Sequence, residues 1–315
     1  MGGDEFIVLA SGAMKEDERQ GFLNRLMDQI SQDFILPGAT IGLSASIGFA
    51  SYPKDARTIE DLLRIADARI PCLSIMNMPP LPYMLRLPGI EADAIKQCYT
   101  DPTVWDGFDS DLVTLASPDP QAFRPPEEPV NVLQVSLPTN FKVARFVSDE
   151  HTAMLRKIEQ DIMDIRFDPG DGNPIELPVK LRVYDSVFVP LAKWAMLMTG
   201  NYRCVQEDAA RSIKEAVHSN LDASKEVYDW VHDLCQRLGA DANDMVPFEK
   251  YANAAQGLAK PSSAARALFA GAPNIERLDL LVKTLSDGIG MQSKMVEDTV
   301  NLVNKRLQIN RDAAK

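Results

Sequence analysis

The chain has 315 residues, 45% apolar and 25% charged, with a formal net charge of -12. That length is enough for two cores, and the apolar content argues against wholesale disorder. The negative balance disfavours a nucleic-acid polymer as partner, while a local basic pocket for one nucleotide stays open.

Cys72, Cys98, Cys204 and Cys235 form no C-x-x-C pair, and His151, His218 and His232 do not interleave with them at metal-ligand spacing. Free buried thiols in a reducing cytoplasm are expected. No basic-then-apolar leader opens the chain. The most apolar window, Val187 to Met198, contains Lys193 and is too short to span a bilayer. A cytoplasmic protein without a membrane partner is the expectation.

In chain order, Phe6 to Ala10 has β character. Phe22, Leu23, Leu26, Met27 and Ile30 recur at helical spacing and predict a helix from about Lys15 to Gln32. Pro37-Gly38 marks a turn. Ala39 to Ala50 alternates like a strand through Ile41, Leu43, Ala45 and Ile47. A helix follows from Thr58, capped by Thr58 with Asp61, its Ile59, Leu62, Leu63 and Ile65 facing inward. Residues 71 to 147 are rich in proline and short β-like runs; Val130 to Leu137 and Phe141 to Val147 predict neighbouring strands. From Asp149 onward the pattern is helical: Met154 to Ile165, a loop at Gly170 to Pro174, then Phe188 to Met198, Ala209 to Val217, and Ala223 to Leu238 stopped by Gly239. A last helical stretch from about Ile275 to Leu307 loosens at Gly288-Ile289-Gly290.

Three segments in order, Gly2-Gly3-Asp4-Glu5-Phe6, Ala45-Ser46-Ile47-Gly48-Phe49-Ala50, and Asp61-Leu62-Leu63-Arg64-Ile65-Ala66-Asp67-Ala68, resemble the second half of a GGDEF domain, the catalytic domain of diguanylate cyclases. Two adjacent glycines let a turn approach a nucleotide closely, and an acidic pair can hold a divalent cation. The resemblance therefore implies Gly2 and Gly3 at GTP, Asp4 and Glu5 on Mg²⁺, and cyclic di-GMP as product. It also places half of the family's domain, with a further acidic ligand, ahead of Met1, which predicts an inactive segment.

From Pro71 to about Leu307 the chain resembles ketopantoate reductase (2-dehydropantoate 2-reductase). Cys72 to Met78 is similar to the family's strand ending in "QNG", Pro190-Leu191-Ala192-Lys193-Trp194 to the helix carrying its active-site lysine, and Lys260-Pro261-Ser262-Ser263 through Gly271 and Glu276 to a substrate-binding stretch. The resemblance implies Lys193 as the catalytic residue that supports protonation of the developing alkoxide, with Asn77, Asn201, Ser263 and Glu276 binding a 2-keto acid. Glu276 matches after a one-residue shift from Ile275. Ser262 or Ser263 also reads as a helix N-cap, and Asn77 as a polar residue at a strand end. NADP is the implied cofactor, but no G-x-G-x-x-G occurs in the chain, so weak NADPH binding is expected.

The expected fold class is α/β plus all-α. A partial GGDEF α/β segment covers residues 1–70 and an incomplete Rossmann-like middle covers 71–148. A C-terminal helical domain like that of 6-phosphogluconate dehydrogenase covers 149–315. The two resemblances meet near residue 70, each cut inside its own domain, as in a recombination product, a truncated gene model or an assembly artefact. The leading functional expectation is an NADP-dependent, ketopantoate-reductase-like oxidoreductase remnant fused to half a GGDEF domain. The alternatives are an inactive diguanylate-cyclase-related signalling protein and a non-enzymatic module forming a homodimer through its C-terminal helices.

Overall fold

The computed structural model describes residues 7–8, 14–32, 34–36, 39–41, 45–118, 122–123, 132, 134–135, 139–170 and 172–314. The chain divides into two compact units, Met1–Ile70 and Pro71–Lys315.

In the first unit, α1 (Glu16–Ile30) opens where the Lys15 backbone N–H donates to the Glu18 carboxylate at 3.0 Å. Its expected stripe, Phe22, Leu23, Leu26, Met27 and Ile30, is half-buried, while Asn24, Arg25, Asp28 and Gln29 are exposed. Strands β1 (Phe34–Leu36) and β2 (Ala39–Ile41) pair antiparallel. The strand expected over 39–50 is therefore shorter, since residues 45–50 carry no ladder. The expected turn at 37–38 lies outside the described residues, as does most of the strand expected over 6–10.

Helix α2 (Ile59–Asp67) starts as expected. Thr58 Oγ1 accepts from the Asp61 N–H at 3.1 Å and donates to the Asp61 carboxylate at 2.7 Å. Ile59 is the exception to the predicted inner face. It is the first residue of the helix and is 76% exposed. Gly48 lies so close to the Ala66 carbonyl that a Cβ there would overlap it. Arg69 closes the unit by donating to the Phe49 carbonyl at 2.8 Å and to Asp55 at 3.1 Å. Asp55 also accepts from the Ser51 N–H, and these bonds hold its carboxyl below the usual range.

The second unit begins with β3 (Cys72–Ile75), followed by the single turns α3 (Leu81–Met84) and α4 (Ala92–Ile95). Next come β4 (Val113–Pro118), β5 (Ala122–Phe123), β6 (Gln134–Val135) and β7 (Thr139–Ala144). Helix α5 (Asp149–Asp164) leads into the β8 (Arg166–Phe167) and β9 (Ile175–Glu176) hairpin and then β10 (Val179–Tyr184). The main sheet has the order β10-β7-β4-β3. β3 runs parallel to β4 and β7 parallel to β10, while β4 meets β7 antiparallel.

Two sequence expectations change here. The segment expected over 130–137 does not flank 141–147, because β6 pairs with β5 and β7 takes β4 and β10 as neighbours. The sheet also runs past the boundary expected at 148, with β10 as its outer strand and α5 as the crossover. Arg86 bridges the antiparallel seam from behind, donating to the Val113 carbonyl at 2.8 Å and the Arg145 carbonyl at 2.7 Å.

The remainder is helical. A run over 189–204 changes pitch three times. It is a 3-10 turn at Val189–Ala192, α6 (Lys193–Met196), a π turn at Leu197–Asn201 and a 3-10 turn at Tyr202–Cys204. Then follow α7 (Ile213–His218), α8 (Leu221–Arg237), α9 (Phe248–Ala255), α10 (Ser263–Phe269), α11 (Leu278–Gly288) and α12 (Lys294–Ala313). The stretch expected as one loosened helix over 275–307 is thus two, α11 and α12. The helix expected from Ala209 starts at Ile213, behind a Ser212–Glu215 capping box. Gly239, at a φ of +116°, ends α8 as expected.

One apolar core joins β4 to α12, from Val113 and Leu115 through Trp194, Leu234 and Leu281 to Leu307. All four cysteines are free. Among the described residues no helix is long and apolar enough to cross a membrane.

Candidate functional site

The helical run over 189–204 is seated on the sheet. Tyr83, fully buried, donates its hydroxyl to the Val187 carbonyl at 2.5 Å. Ser186 Oγ accepts from the Phe188 N–H and donates to Asp244 at 2.6 Å. The first turn then packs against β4 and β7. Lys193 follows that turn, half-buried between the buried Ala192 and Trp194. A lysine stem can line apolar surface in this way while its ammonium reaches a polar outlet.

The π turn adds one residue to the helix between Lys193 and Asn201. Such bulges concentrate at functional sites. Next to this turn Tyr251 donates its hydroxyl to the Met196 carbonyl at 3.0 Å. Gly200 leaves room for it, since a Cβ at that position would overlap the Tyr251 hydroxyl and stand 3.0 Å from Ile213 Cγ2.

Three of the four residues expected to bind substrate, Asn201, Ser263 and Glu276, lie in segments that are joined at the end of this run. The Asn201 carbonyl accepts from Ser262 Oγ at 2.7 Å. Ser262, not Ser263, is the N-cap of α10, its Oγ accepting from the Ala265 N–H at 3.1 Å. Ser262 is buried and Ser263, the first helical residue, is exposed. The next residue in the run, Tyr202, donates its hydroxyl to the Glu276 carbonyl at 2.7 Å and accepts from the Leu278 N–H at 3.1 Å. Glu276 is exposed as a residue, although protein atoms crowd its carboxyl and push its pKa up.

Directly beyond lies a buried ion pair. Arg277 grips Asp279 with two bonds of 3.0 Å, and Asp279 is fully buried. Burial pushes the Asp279 carboxyl up, and the adjacent guanidinium opposes that shift. Tyr202, Gly200, Tyr251 and this pair went unnoticed in the sequence. The available signals were a glycine inside the apolar run MLMTGN and opposite charges two residues apart at the head of an apolar helix.

Asn77 lies two residues beyond β3, half-buried. Its Oδ1 is buried with no hydrogen-bond partner, and the same holds for Trp194 Nε1 and Thr199 Oγ1. An orphaned acceptor of this kind calls for a donor, and ligands of α/β sheets bind beyond strand C-termini. Asn77 thus suits the amide or hydroxyl of a nicotinamide or substrate. The phosphate end has no match, because the chain holds no G-x-G-x-x-G. Gly2, Gly3, Asp4 and Glu5 lie outside the described residues. Among the described residues no cluster of His, Cys, Asp and Glu is arranged to hold a metal ion.

Residues 1–73 match the family model described as diguanylate cyclase, GGDEF domain. Over 68 residues the chain is 37% identical to the bifunctional diguanylate cyclase/cyclic di-GMP phosphodiesterase MucR of Pseudomonas aeruginosa, covering 22% of this chain and 10% of that protein. It spans about a tenth of the length of the curated relatives it matches. Among solved structures it is similar to D-mandelate dehydrogenase in complex with NADH and anilino(oxo)acetate. The TM-score is 0.48 at 10% identity, over 66% of this chain and 65% of that one. It is also similar to a PanE/ApbA family ketopantoate reductase from Ralstonia eutropha. That TM-score is 0.43 at 12% identity, over 64% of this chain and 61% of that one.

Proposed function

We propose that residues 71–307 form a ketopantoate-reductase-like oxidoreductase region that binds a small 2-keto acid. The observation that carries this reading is the convergence of Asn201, the Ser262-Ser263 cap and Glu276 on the end of one helical run that begins beside Lys193. In this reading Lys193 Nζ holds a proton toward the substrate carbonyl oxygen, and Asn201, Ser263 and Glu276 orient the acid. Asn77 Oδ1 accepts from the cofactor or the substrate. The implied NADP supplies hydride when bound. The residues fit its nicotinamide end and offer no glycine-rich cradle for its phosphates, so no step is derived through it.

The test is fluorescence titration of the full chain with NADPH, alongside calorimetric titration with 2-keto acids in the absence of cofactor. Saturable keto-acid binding that weakens in Asn201→Ala and Ser263→Ala supports the reading. No heat and no fluorescence change at millimolar ligand refutes it.

A second reading rests on the family match at residues 1–73: a diguanylate-cyclase-related signalling segment that handles GTP with Mg²⁺ through Gly2, Gly3, Asp4 and Glu5. Incubation with GTP and Mg²⁺ followed by chromatography for cyclic di-GMP tests it. Unchanged GTP together with no Mg²⁺-dependent nucleotide binding removes it.

A further inference from the structure

A 2-keto acid brings its own negative charge, and the segments joined at Tyr202 already carry a carboxyl group, Glu276. On a chain of net charge -12 such an anion is repelled unless a cation stands close to its acid group. Lys193 is assigned to the carbonyl oxygen, so it does not meet this need. The residue after Glu276 is Arg277.

Arg277 immediately precedes α11, and its side chain is 12% exposed against none for Asp279. The Asp279 carboxylate occupies Nε and Nη2 at 3.0 Å each. Nη1 has no acceptor among the described residues, nor is it sealed away from solvent. The pair is therefore a dipole with its positive end outward. A guanidinium gripped along one edge is held still, and its remaining N–H groups keep the planar geometry that suits a second carboxylate. A buried pair of this kind is seldom more stabilising than apolar residues of like volume, so stability alone does not account for it.

The surroundings place Arg277 between the two sides of the proposed site. On one side Tyr202, next to Asn201, brackets it by bonding the Glu276 carbonyl and the Leu278 N–H. On the other side is the turn Lys96–Cys98. Cys98 Sγ stands 3.7 Å from Thr284 Oγ1 on α11. Its thiol is raised chiefly by burial and also feels the charges of Arg277 and Asp279. The next residue, Tyr99, donates its hydroxyl at 2.7 Å to the carbonyl of Pro79, two residues beyond Asn77. The head of α11 thus lies between the segment of Asn77 and the segments of Asn201 and Glu276.

We infer that Arg277 binds the carboxylate of the keto acid and that buried Asp279 aims it. The inference rests on the reading of residues 71–307 as a keto-acid-binding region. It narrows the ligand to one with a free acid group, so the neutral amide of the same skeleton is discriminated against.

Calorimetric titration of the full chain with 2-oxobutanoate and with 2-oxobutanamide tests this. The acid should bind about tenfold or more tighter than the amide. Arg277→Gln should bring that ratio close to one, and Arg277→Lys should restore part of it. A purely structural loss would weaken both ligands alike and leave the ratio unchanged. Lys193→Met removes the other cation and should keep the ratio even as both affinities fall. Should Arg277→Gln not fold, the ratios in the parent and in Lys193→Met decide the matter. Equal binding of acid and amide by the parent overturns the inference and leaves the keto-acid reading standing. A ratio retained in Arg277→Gln, or lost in Lys193→Met, overturns it too. Binding of neither ligand removes the keto-acid reading and the inference with it.

Discussion

Substituting alanine for Gly200 tests the π turn that leads to Asn201. The new methyl group falls on the Tyr251 hydroxyl and reaches 3.0 Å from Ile213 Cγ2. Tyr251 is buried among the helices, so the ring cannot swing into solvent. Overpacking of this kind costs about 1–3 kcal/mol. Displacing the hydroxyl strands the Met196 carbonyl it now serves, for about 1–3 kcal/mol more. Better helix propensity returns about 1 kcal/mol. The net expectation is a loss of about 1–5 kcal/mol. Urea denaturation followed by tryptophan fluorescence reads this cleanly, because Trp105, Trp194 and Trp230 all lie in the second unit. Combining Gly200→Ala with Tyr251→Phe removes the clashing oxygen, so the double variant should be more stable than the two single losses added together. Gly200→Ala within about 0.5 kcal/mol of the parent, or strict additivity in the pair, refutes the reasoning.

Arg277→Met removes the partner of a fully buried carboxylate and should cost about 3–5 kcal/mol at neutral pH. Asp279 has its folded pKa raised, so its contribution favours the folded state below the unfolded value of 3.8 and is lost as pH rises through the folded value. The defect in Arg277→Met should therefore shrink as urea midpoints are followed from neutral pH down toward that value. A constant defect across the series counts against a charged Asp279. Tyr202→Phe removes one donor and one acceptor between the 189–204 run and the head of α11. It should cost about 1–3 kcal/mol and weaken any keto-acid binding measured by calorimetry. Burial pushes the Cys98 thiol up to about 11 and the Cys235 thiol up to about 12, and Cys204 is also raised. Alkylation at pH 8 read by mass spectrometry should label the half-buried Cys72 first and the other three only on unfolding.

Elements whose causes are local were legible in the sequence. The stripe of α1, the Thr58–Asp61 cap and the glycine that ends α8 each depend on residues within one or two turns. Elements set from a distance were not. The strand Val179–Tyr184 carries Lys180 and Arg182 at alternate positions and looked like part of a helical region. It is a strand because β7, about 40 residues earlier, offers it a parallel ladder. The run over 188–198 looked like one helix; a π turn opens at its end, next to the Met196 carbonyl that accepts from Tyr251, some 50 residues later. For the site, the family resemblance picked out Asn201, Ser263 and Glu276, and the structure brings their segments together. It could not show that Ser262 rather than Ser263 makes the buried bonds, nor that Tyr202 joins two of those segments. A hydroxyl that both donates and accepts across 74 and 76 residues leaves no periodic trace.

That hydroxyl has a mechanical consequence. By clamping the peptide on either side of Arg277, Tyr202 makes the loop bearing Glu276 travel with the backbone that bears Asn201. A displacement of either segment is therefore passed to the other through a single phenol group.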